Sequence, residues 1–214
     1  MTLAVTTPAV NLSLLTVAEL RTAAGLGADD SSKDDTLAAI ELEAREWIAD
    51  LCFVPAADTG DHPPTILRET LTETFIPTGC DYRALPLILA RVPAIVATIT
   101  VDDVLLVVGD DYRTEGGLLY RRSGTSDAAW SGTEIVVVYD GGQASVPATV
   151  KGLVGEFVRM KMSQQTPGRD PLVRSESNDG VASFTYFDRA GSGTTFDDYA
   201  RERLSRYSMR RWFV

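Results

Sequence analysis

Apolar residues recur every three or four positions in four segments of the chain, a spacing that places them on one face of a helix. Thr16 and Glu19 form the Thr-x-x-Glu pattern of a capping box, which predicts a short first helix that ends at Gly25. The second predicted helix has an apolar face made of Leu37, Ile40, Ala44, Trp47, Ile48 and Leu51. The four helices are predicted at 16–24, at 34–52, at 147–165 and from residue 196 toward the C-terminus.

Between the second and third helices the hydrophobic period changes toward two, which predicts strands. Alternating or β-branched runs lie at 69–76, 94–101, 104–108, 118–121 and 134–139. Two pairs, Asp102-Asp103 and Gly116-Gly117, stand where tight hairpin turns are expected. The predicted fold class is therefore α+β, a small antiparallel helical bundle with an inserted antiparallel β domain and an extended C-terminal arm.

These segments divide the chain into three parts. Residues 1–66 hold an N-terminal extension and the first two helices of the bundle, and residues 67–146 form the β-rich insertion. Residues 147–214 hold the third helix, a mobile loop, a short strand, the C-terminal helix and a docking tail. Within this last part, residues 166–178 are polar and contain two prolines, so they are predicted to be an exposed loop. The alternation at 181–186 is typical of a single strand.

Charge is distributed unevenly along the chain. The formal net charge is −10, from 30 acidic and 20 basic side chains, so the body should repel nucleic-acid phosphates. Residues 1–50 hold nine acids and three bases, whereas residues 201–211 hold five arginines and one acid, Glu202. Opposite charges at the two ends suit a head-to-tail assembly or a clasp between subunits.

Residues suited to catalysis or metal binding are scarce. His62 is the only histidine and stands beside prolines, while Cys52 and Cys80 lack metal-ligand spacing and are expected to be free thiols. The acidic pairs are interpreted as helix ends, turns and a loop, because none has the spacing of a calcium-binding loop. We therefore expect no enzymatic activity, no metal site and no cofactor.

The longest apolar run, 85–101, is interrupted by Pro86, Arg91 and Pro93 and is rich in β-branched residues. It is therefore predicted to form strands rather than a membrane span. The N-terminus lacks the basic start and the small-residue cleavage site of a secretory signal. We expect a soluble protein that does not act at a membrane.

The C-terminal segment combines positive charge with aromatic rings. Its apolar positions at helical spacing are Phe196, Tyr199, Ala200, Leu204 and Tyr207, and residues 210–214 read Arg-Arg-Trp-Phe-Val. One interpretation is a helix that folds back on its own core, with arginines favoured near the carbonyl end. The other is an arm that docks on a partner, since Arg and Trp are enriched at interface hot spots. The sequence favours a division, in which 196–204 packs on the second and third helices and 207–214 is held by another subunit.

The order of these parts resembles the head-tail connector (adaptor) family of tailed bacteriophages. The likeness covers nearly the whole chain and is one of pattern. It rests on the capped helix at 16–26, the long helix at 34–52, the β-rich stretch at 91–122 with a following Trp, and the strand-Gly-Gly-x-x-x-x-Pro-helix pattern at 133–162. The stretches 175–188 and 204–213 are similar to the Glu-Ser-x-x-Gly and Tyr-x-x-Arg-Arg endings of such adaptors.

The resemblance implies a structural protein of the virion, present in the host cytoplasm during assembly. Its subunits would form a ring, twelvefold in the particle, that joins the portal protein to a tail or stopper protein. The ring would continue the DNA channel, with DNA only as passing cargo. The portal-binding residues that the resemblance implies are Tyr207, Arg210, Arg211, Trp212 and Phe213. The alternatives are a neighbouring stopper or tail-completion protein, or a DNA-binding protein that uses the basic C-terminus.

Overall fold

The computed structural model describes residues 1–58, 60, 62–77, 86–164, 175–178, 182–185 and 195–209. The chain divides into two compact units, each of which is assembled from segments far apart in sequence. The β unit comprises Met1–Leu12, Cys52–Val146 and, of the described C-terminal residues, 207–209. The helical unit comprises Ser13–Leu51 and Pro147–Arg206. Helices and antiparallel sheets coexist in one chain, so the predicted α+β class is confirmed.

The described residues form four α-helices and eleven strands. The helices are α1 (Val17–Ala23), α2 (Asp34–Leu51), α3 (Ala148–Gln164) and α4 (Phe196–Leu204), and a short 3-10 helix follows at Ser205–Tyr207. The first six strands are β1 (Thr2–Thr7), β2 (Glu69–Phe75), β3 (Leu87–Ile88), β4 (Ala94–Val101), β5 (Val104–Leu105) and β6 (Tyr112–Glu115). The others are β7 (Leu118–Ser123), β8 (Ser126–Ala128), β9 (Ile135–Gly141), β10 (Ser175–Asn178) and β11 (Ala182–Thr185).

Two antiparallel sheets build the β unit. One has five strands in the order β1-β2-β9-β4-β5, and the other has the order β3-β7-β6 with β8 also paired to β7. Alternate residues of β2 and β9 are buried, as the period of two requires when one face meets the core. The core includes Leu71, Phe75, Leu87, Ile99, Tyr112, Leu119, Trp130, Ile135 and Val137.

Both predicted hairpin turns are present. Asp102 and Asp103 adopt positive φ angles of 47° and 64° between β4 and β5. The Asp102 carboxylate accepts hydrogen bonds from the backbone N–H groups of Thr133 at 2.8 Å and Glu134 at 3.0 Å, which ties the turn to the start of β9. At the second turn, Gly117 has a φ of 90°, and a Cβ there would collide with the Val92 side chain.

The helical unit is organised around α2 and its contacts with α3 and α4. The predicted capping box of α1 is present, with the Thr16 hydroxyl accepting from the Glu19 N–H and the Glu19 carboxylate accepting from the Thr16 N–H. Trp47 of α2 stacks on two rings, that of Phe157 at a centroid distance of 5.0 Å and that of Phe196 at 5.3 Å. This aromatic stack joins three helices of the unit.

Several predictions about secondary structure were wrong. The run 104–108 contributes only the two residues of β5, and the amphipathic helical pattern that begins at residue 196 stops being α-helical after Leu204. Residues 175–178, predicted as loop, form β10 and pair with β11, so the supposed single strand belongs to a hairpin. The strands β1, β6 and β8 had no prediction, whereas β3 lies within the run 85–101 that was predicted to form strands. Each of these three strands is defined by its pairing with a neighbouring strand, which the hydrophobic period does not report. The rest of the predicted loop, 166–174, and the predicted Gly-rich turn at 189–193 lie outside the described residues.

Candidate functional site

The predicted docking residues begin at the end of the 3-10 helix. Tyr207 is its last residue and is half-buried. The other four, Arg210, Arg211, Trp212 and Phe213, lie outside the described residues. The structure therefore describes how the chain reaches the tail, through α4, the 3-10 helix and Met209.

Local sequence explains why α4 begins where it does. The Thr195 hydroxyl accepts from the Asp198 N–H, and the Asp198 carboxylate accepts from the Thr195 N–H at 3.0 Å, which forms a second capping box. These hydrogen bonds from Thr195 hold the pKa of Asp198 below its usual value. The helix therefore has a defined first turn.

The two faces of α4 differ in polarity. Ala200 and Leu204 are buried, while Arg201 and Arg203 are exposed. The indole N–H of Trp47 donates to the Asp197 carboxylate at 3.1 Å, beside the stacked ring of Phe196. The apolar face of α4 thus lies against α2 and α3, and the arginines point away from that contact.

Met209 holds the chain just before the basic tail. Its exposed fraction is only 6%, and its backbone N–H donates to the carbonyl of Cys52 at 2.8 Å. Its sulfur accepts the N–H of Val92 at 3.3 Å. The expectation that another subunit holds all of 207–214 is therefore wrong for Met209, because the β unit itself binds this side chain.

A buried ion pair lies next to the residue that contacts the Met209 sulfur. Arg91 and Glu69 are each no more than 3% exposed and form a salt bridge. The guanidinium also donates to the carbonyls of Thr65 and Pro55, both at 3.2 Å. Arg91 thereby joins strand β2 to two loop segments.

A second buried pair fixes the backbone around Arg91. The Tyr139 hydroxyl donates to Glu73 Oε1, which also accepts the N–H of Ala90 at 2.7 Å. The Tyr139 oxygen in turn accepts the N–H of Arg91 at 3.2 Å. The N–H groups of Ala90, Arg91 and Val92 are therefore all bound, the first two by this pair and the third by Met209.

Burial changes the acidity of this second pair. It raises the pKa of Glu73 from 4.5 to about 7, against the opposing effects of Tyr139, the Ala90 N–H and Arg91. The pKa of Tyr139 is raised by burial and by the neighbouring Glu73 carboxylate. Glu73 Oε2 has no hydrogen-bond partner within the described structure, and this burial favours the neutral form of the carboxyl at pH values below about 7.

We name these side chains, Glu69, Glu73, Arg91 and Tyr139, the buried polar cluster. From the sequence, Arg91 is only an interruption of an apolar run, and the two glutamates were not predicted to be functional. The sequence contained one signal of the buried acids. Every second residue of a strand lies on the same face, so the inner face of the predicted strand carries Glu69, Leu71, Glu73 and Phe75. Two acids on a core face indicate a buried basic partner.

Histidine, cysteine and acidic side chains are the groups to consider for metal binding. Among them, no group of three His, Cys, Asp or Glu side chains is placed to hold a metal ion. His62 is exposed, and the Cys52 thiol is buried, which raises its pKa to about 12. The buried polar cluster and Met209 meet at the backbone of residues 90–92.

Within the part of the chain that the structure describes, none of the helices has the length and apolar character needed to cross a membrane. No model of a known protein family matches the chain, and no curated protein matches it either.

Proposed function

We propose that this protein is a head-tail connector (adaptor) subunit of a tailed phage or a phage-like particle. It forms a ring that joins the portal to a tail or stopper protein and continues the DNA channel. The observation that carries the proposal lies just before the basic and aromatic residues 210–214, where Met209 is buried and is hydrogen-bonded to Cys52 and Val92.

The order of the elements supports this proposal. The helical unit is built from segments on both sides of the largest β-unit segment, Cys52–Val146, with α1 and α2 before it and α3 and α4 after it. This is the order of the family pattern, in which a β-rich insertion separates the first two helices from the third. The helical bundle and the docking arm that the family pattern adds to this order belong to the proposal.

A segment is suited to docking when the residue that precedes it is held in place. Docking a chain segment on a partner costs conformational entropy, and this cost is smaller when one end of the segment is already held. Met209 is buried one residue before Arg210, so the basic tail starts from a defined point. Arg201 and Arg203 are exposed on α4 and extend the positive charge that an acidic portal surface would attract.

The charge of the rest of the chain suits a DNA channel. With a net charge of −10, the subunit makes few favourable contacts with phosphates, so DNA passes the ring without being retained. The basic residues of the C-terminus are engaged with the portal in this arrangement. DNA is therefore cargo rather than a ligand.

Removal of the tail tests the proposal. A chain that lacks residues 210–214 retains Met209 and should unfold at the same temperature as the full chain. It should no longer comigrate with purified portal rings in sedimentation or appear on them in electron micrographs. Full portal binding by the truncated chain would contradict the docking role.

A matched pair of variants separates the tail from charge in general. Arg210→Ala with Arg211→Ala removes two tail charges, and Arg201→Ala with Arg203→Ala removes two exposed charges from α4. The first pair should abolish portal binding and the second should weaken it only slightly. Equal effects would mean that net charge, rather than a docked tail, drives binding.

The exposed arginines of α4 also fit the alternative of a DNA-binding protein. That function predicts binding of the isolated C-terminal peptide to duplex DNA, with an affinity that falls steeply as salt rises. A stopper or tail-completion protein would instead comigrate with tail components and not with the portal. The same sedimentation assay, run with each partner, distinguishes the three functions.

A further inference from the structure

An exposed apolar loop follows β4 in the β unit. We name residues 103–110, which include β5, the apolar loop. Between 54% and 67% of the side chain is exposed at four of its residues, Val104, Leu105, Val107 and Val108. Its fifth apolar residue, Leu106, is buried in the core of the β unit. The loop therefore exposes four large apolar side chains around one inward anchor.

Hydrogen bonds hold the backbone of this loop on both sides. Before the middle of the loop, β5 pairs with β4, and the N–H of Leu106 donates to the carbonyl of Ile99 at 2.9 Å. After it, the N–H of Val107 donates to the Asp111 carboxylate at 2.9 Å, and the Val107 carbonyl accepts the N–H of Asp111 at 2.8 Å. Valine also has few side-chain rotamers. Docking of this surface on a partner therefore costs little conformational entropy.

The grouping of these side chains distinguishes them from the other exposed apolar residues. Elsewhere in the described chain, exposed large apolar side chains stand singly in sequence, as at Phe53 and Ile76. Single exposed apolar residues are normal on a protein surface, whereas a contiguous patch with a polar rim is typical of an interaction site. The apolar loop therefore has the composition of a docking surface.

The rim of the loop is acidic. Aspartate pairs flank the apolar side chains at 102–103 and 110–111. Two arginines also reach this region, since Arg121 pairs with Asp111 at 3.2 Å and the Arg122 guanidinium donates to the carbonyl of Gly109. Four acids and two arginines leave the region with a negative charge.

This charge selects among the possible occupants of the apolar surface. The same loop of a second copy would bring acidic rims together, and like charges across an interface are unfavourable. An anionic lipid surface attracts basic segments and repels this one. A protein surface with basic side chains beside an apolar patch complements both the charge and the polarity of the loop.

We propose that the apolar loop docks on a protein partner whose contact surface is apolar and flanked by lysine or arginine side chains. The proposal gives the chain a docking surface distinct from the basic C-terminal tail and opposite to it in charge. In the proposed ring this partner is the tail or stopper protein, and that assignment alone rests on the proposed function.

A designed helical peptide tests the chemistry of the loop without the particle. Its leucine face is flanked by lysines, and a second peptide with glutamates in place of the lysines is the control. In NMR spectra of the full chain at physiological ionic strength, the leucine–lysine peptide should shift the amide signals of 103–110. The leucine–glutamate peptide should leave these signals unchanged.

Apolar variants with a matched control locate the contact. Val107→Ser with Val108→Ser should weaken binding of the leucine–lysine peptide by about 10-fold. Val17→Ser with Leu42→Ser removes side chains of the helical unit that are exposed by 54% and 48%, and it should leave the affinity unchanged. If the first pair fails to fold, as judged by circular dichroism, Leu105→Ser replaces it.

Charge variants test the acidic rim. Asp103→Asn with Asp110→Asn should weaken peptide binding by about 5-fold. Glu46→Gln with Asp50→Asn removes two exposed charges from α2 and should have no such effect. Equal affinities of the two peptides, amide shifts mainly outside the loop, or unchanged binding by the loop variants would overturn the proposal.

The remaining arms identify the occupant. Shifts of 103–110 when the chain alone is concentrated, or when phosphatidylglycerol vesicles are added, would assign the loop to a second copy or to a lipid surface and would also overturn the proposal. In sedimentation, the loop variants should lose the tail or stopper protein and keep the portal, while the chain without residues 210–214 should do the reverse. Peptide binding at the loop without comigration with any particle component would support the docking surface and contradict the proposed function.

Discussion

The β unit and the helical unit place their ion pairs in opposite environments. The side chains of Arg91 and Glu69 in the β unit are each 1% exposed, whereas those of Lys151 and Glu19 in the helical unit are 40% and 39% exposed. A buried pair leaves an uncompensated charge in the core when one partner is lost, while an exposed pair leaves a solvated one. Ion pairs of similar length therefore differ widely in the free energy of unfolding that is lost when one partner is removed.

The buried pair should give the largest effect. Arg91→Met keeps an aliphatic stem but leaves Glu69 charged and buried, and it removes the donor to the Thr65 and Pro55 carbonyls. We expect a loss of about 3–5 kcal/mol in the free energy of unfolding, measured by urea denaturation. Arg113→Met is the matched control in the same unit, because its ion pairs are largely exposed, and it should barely move the urea midpoint. Equal losses for the two variants would remove the distinction between the environments.

The change in the free energy of unfolding with pH should be the next largest effect. Because burial raises the pKa of Glu73 from 4.5 to about 7, the folded chain retains a proton that the unfolded chain releases in this window. The stabilisation is full below pH 4.5 and is lost as the pH rises through about 7. The difference amounts to on the order of 3 kcal/mol.

Glu73→Gln removes this titration and preserves the shape of the side chain. Urea denaturation at several pH values should show a flatter profile between pH 4.5 and about 7 for this variant than for the unmodified chain. Glu134→Gln, at an exposed position of the same unit, should retain the original profile. A Glu73→Gln profile that keeps the original slope would show that another group is responsible.

Substitution of Met209 tests whether this residue, which precedes the C-terminal tail, contributes to the stability of the β unit. Met209→Ala removes a buried side chain near the end of the described chain, where neighbours can partly close the space, so we expect a loss of about 2 kcal/mol. Portal binding should weaken as well, because the tail loses its fixed origin. Met209→Leu keeps the volume and should cost less than about 1.5 kcal/mol in stability. Unchanged melting and binding in Met209→Ala would remove Met209 from the proposal.

The exposed pair of the helical unit should give the smallest effect. Lys151→Met should cost less than about 1 kcal/mol, and the cost should shrink further in high salt. The hydrogen bond from Lys151 is the main reason that the pKa of Glu19 is lowered to about 2, with the Thr16 groups next. The stabilisation from Glu19 is therefore present above pH 4.5 and is lost as the pH falls toward 2. An NMR titration of the variant should show the Glu19 pKa closer to its ordinary value.

Sequence reasoning was most successful where the determinants are local. The capping box of Thr16 and Glu19 was predicted from four residues, and the bounds of α2 and β4 follow from periods of 3.6 and two. The Asp102-Asp103 turn was also predicted, because short polar side chains tolerate positive φ. Each of these features is decided by residues within one turn or one hairpin.

The candidate site was predicted only in part, since its contacts join distant segments. Tyr207 was named, but Met209 was not, because its partners are Cys52 and Val92. The hairpin of β10 and β11 was also missed. Nothing in the period of residues 175–178 distinguishes a polar strand from a loop, and the strand exists through its pairing with 182–185.

By itself, the sequence determined the positions of the main helices and strands, the α+β class and the opposite charges of the two ends, because period, capping and charge are properties of short segments. The tertiary structure alone decided that Glu73 meets Tyr139, 66 residues away, that Glu69 meets Arg91, and that Met209 reaches Cys52. It also decided that Asp58 binds both backbone groups of Leu3 on the edge strand β1. These outcomes depend on which surfaces meet when the chain folds, and burial then determines the cost of each charge.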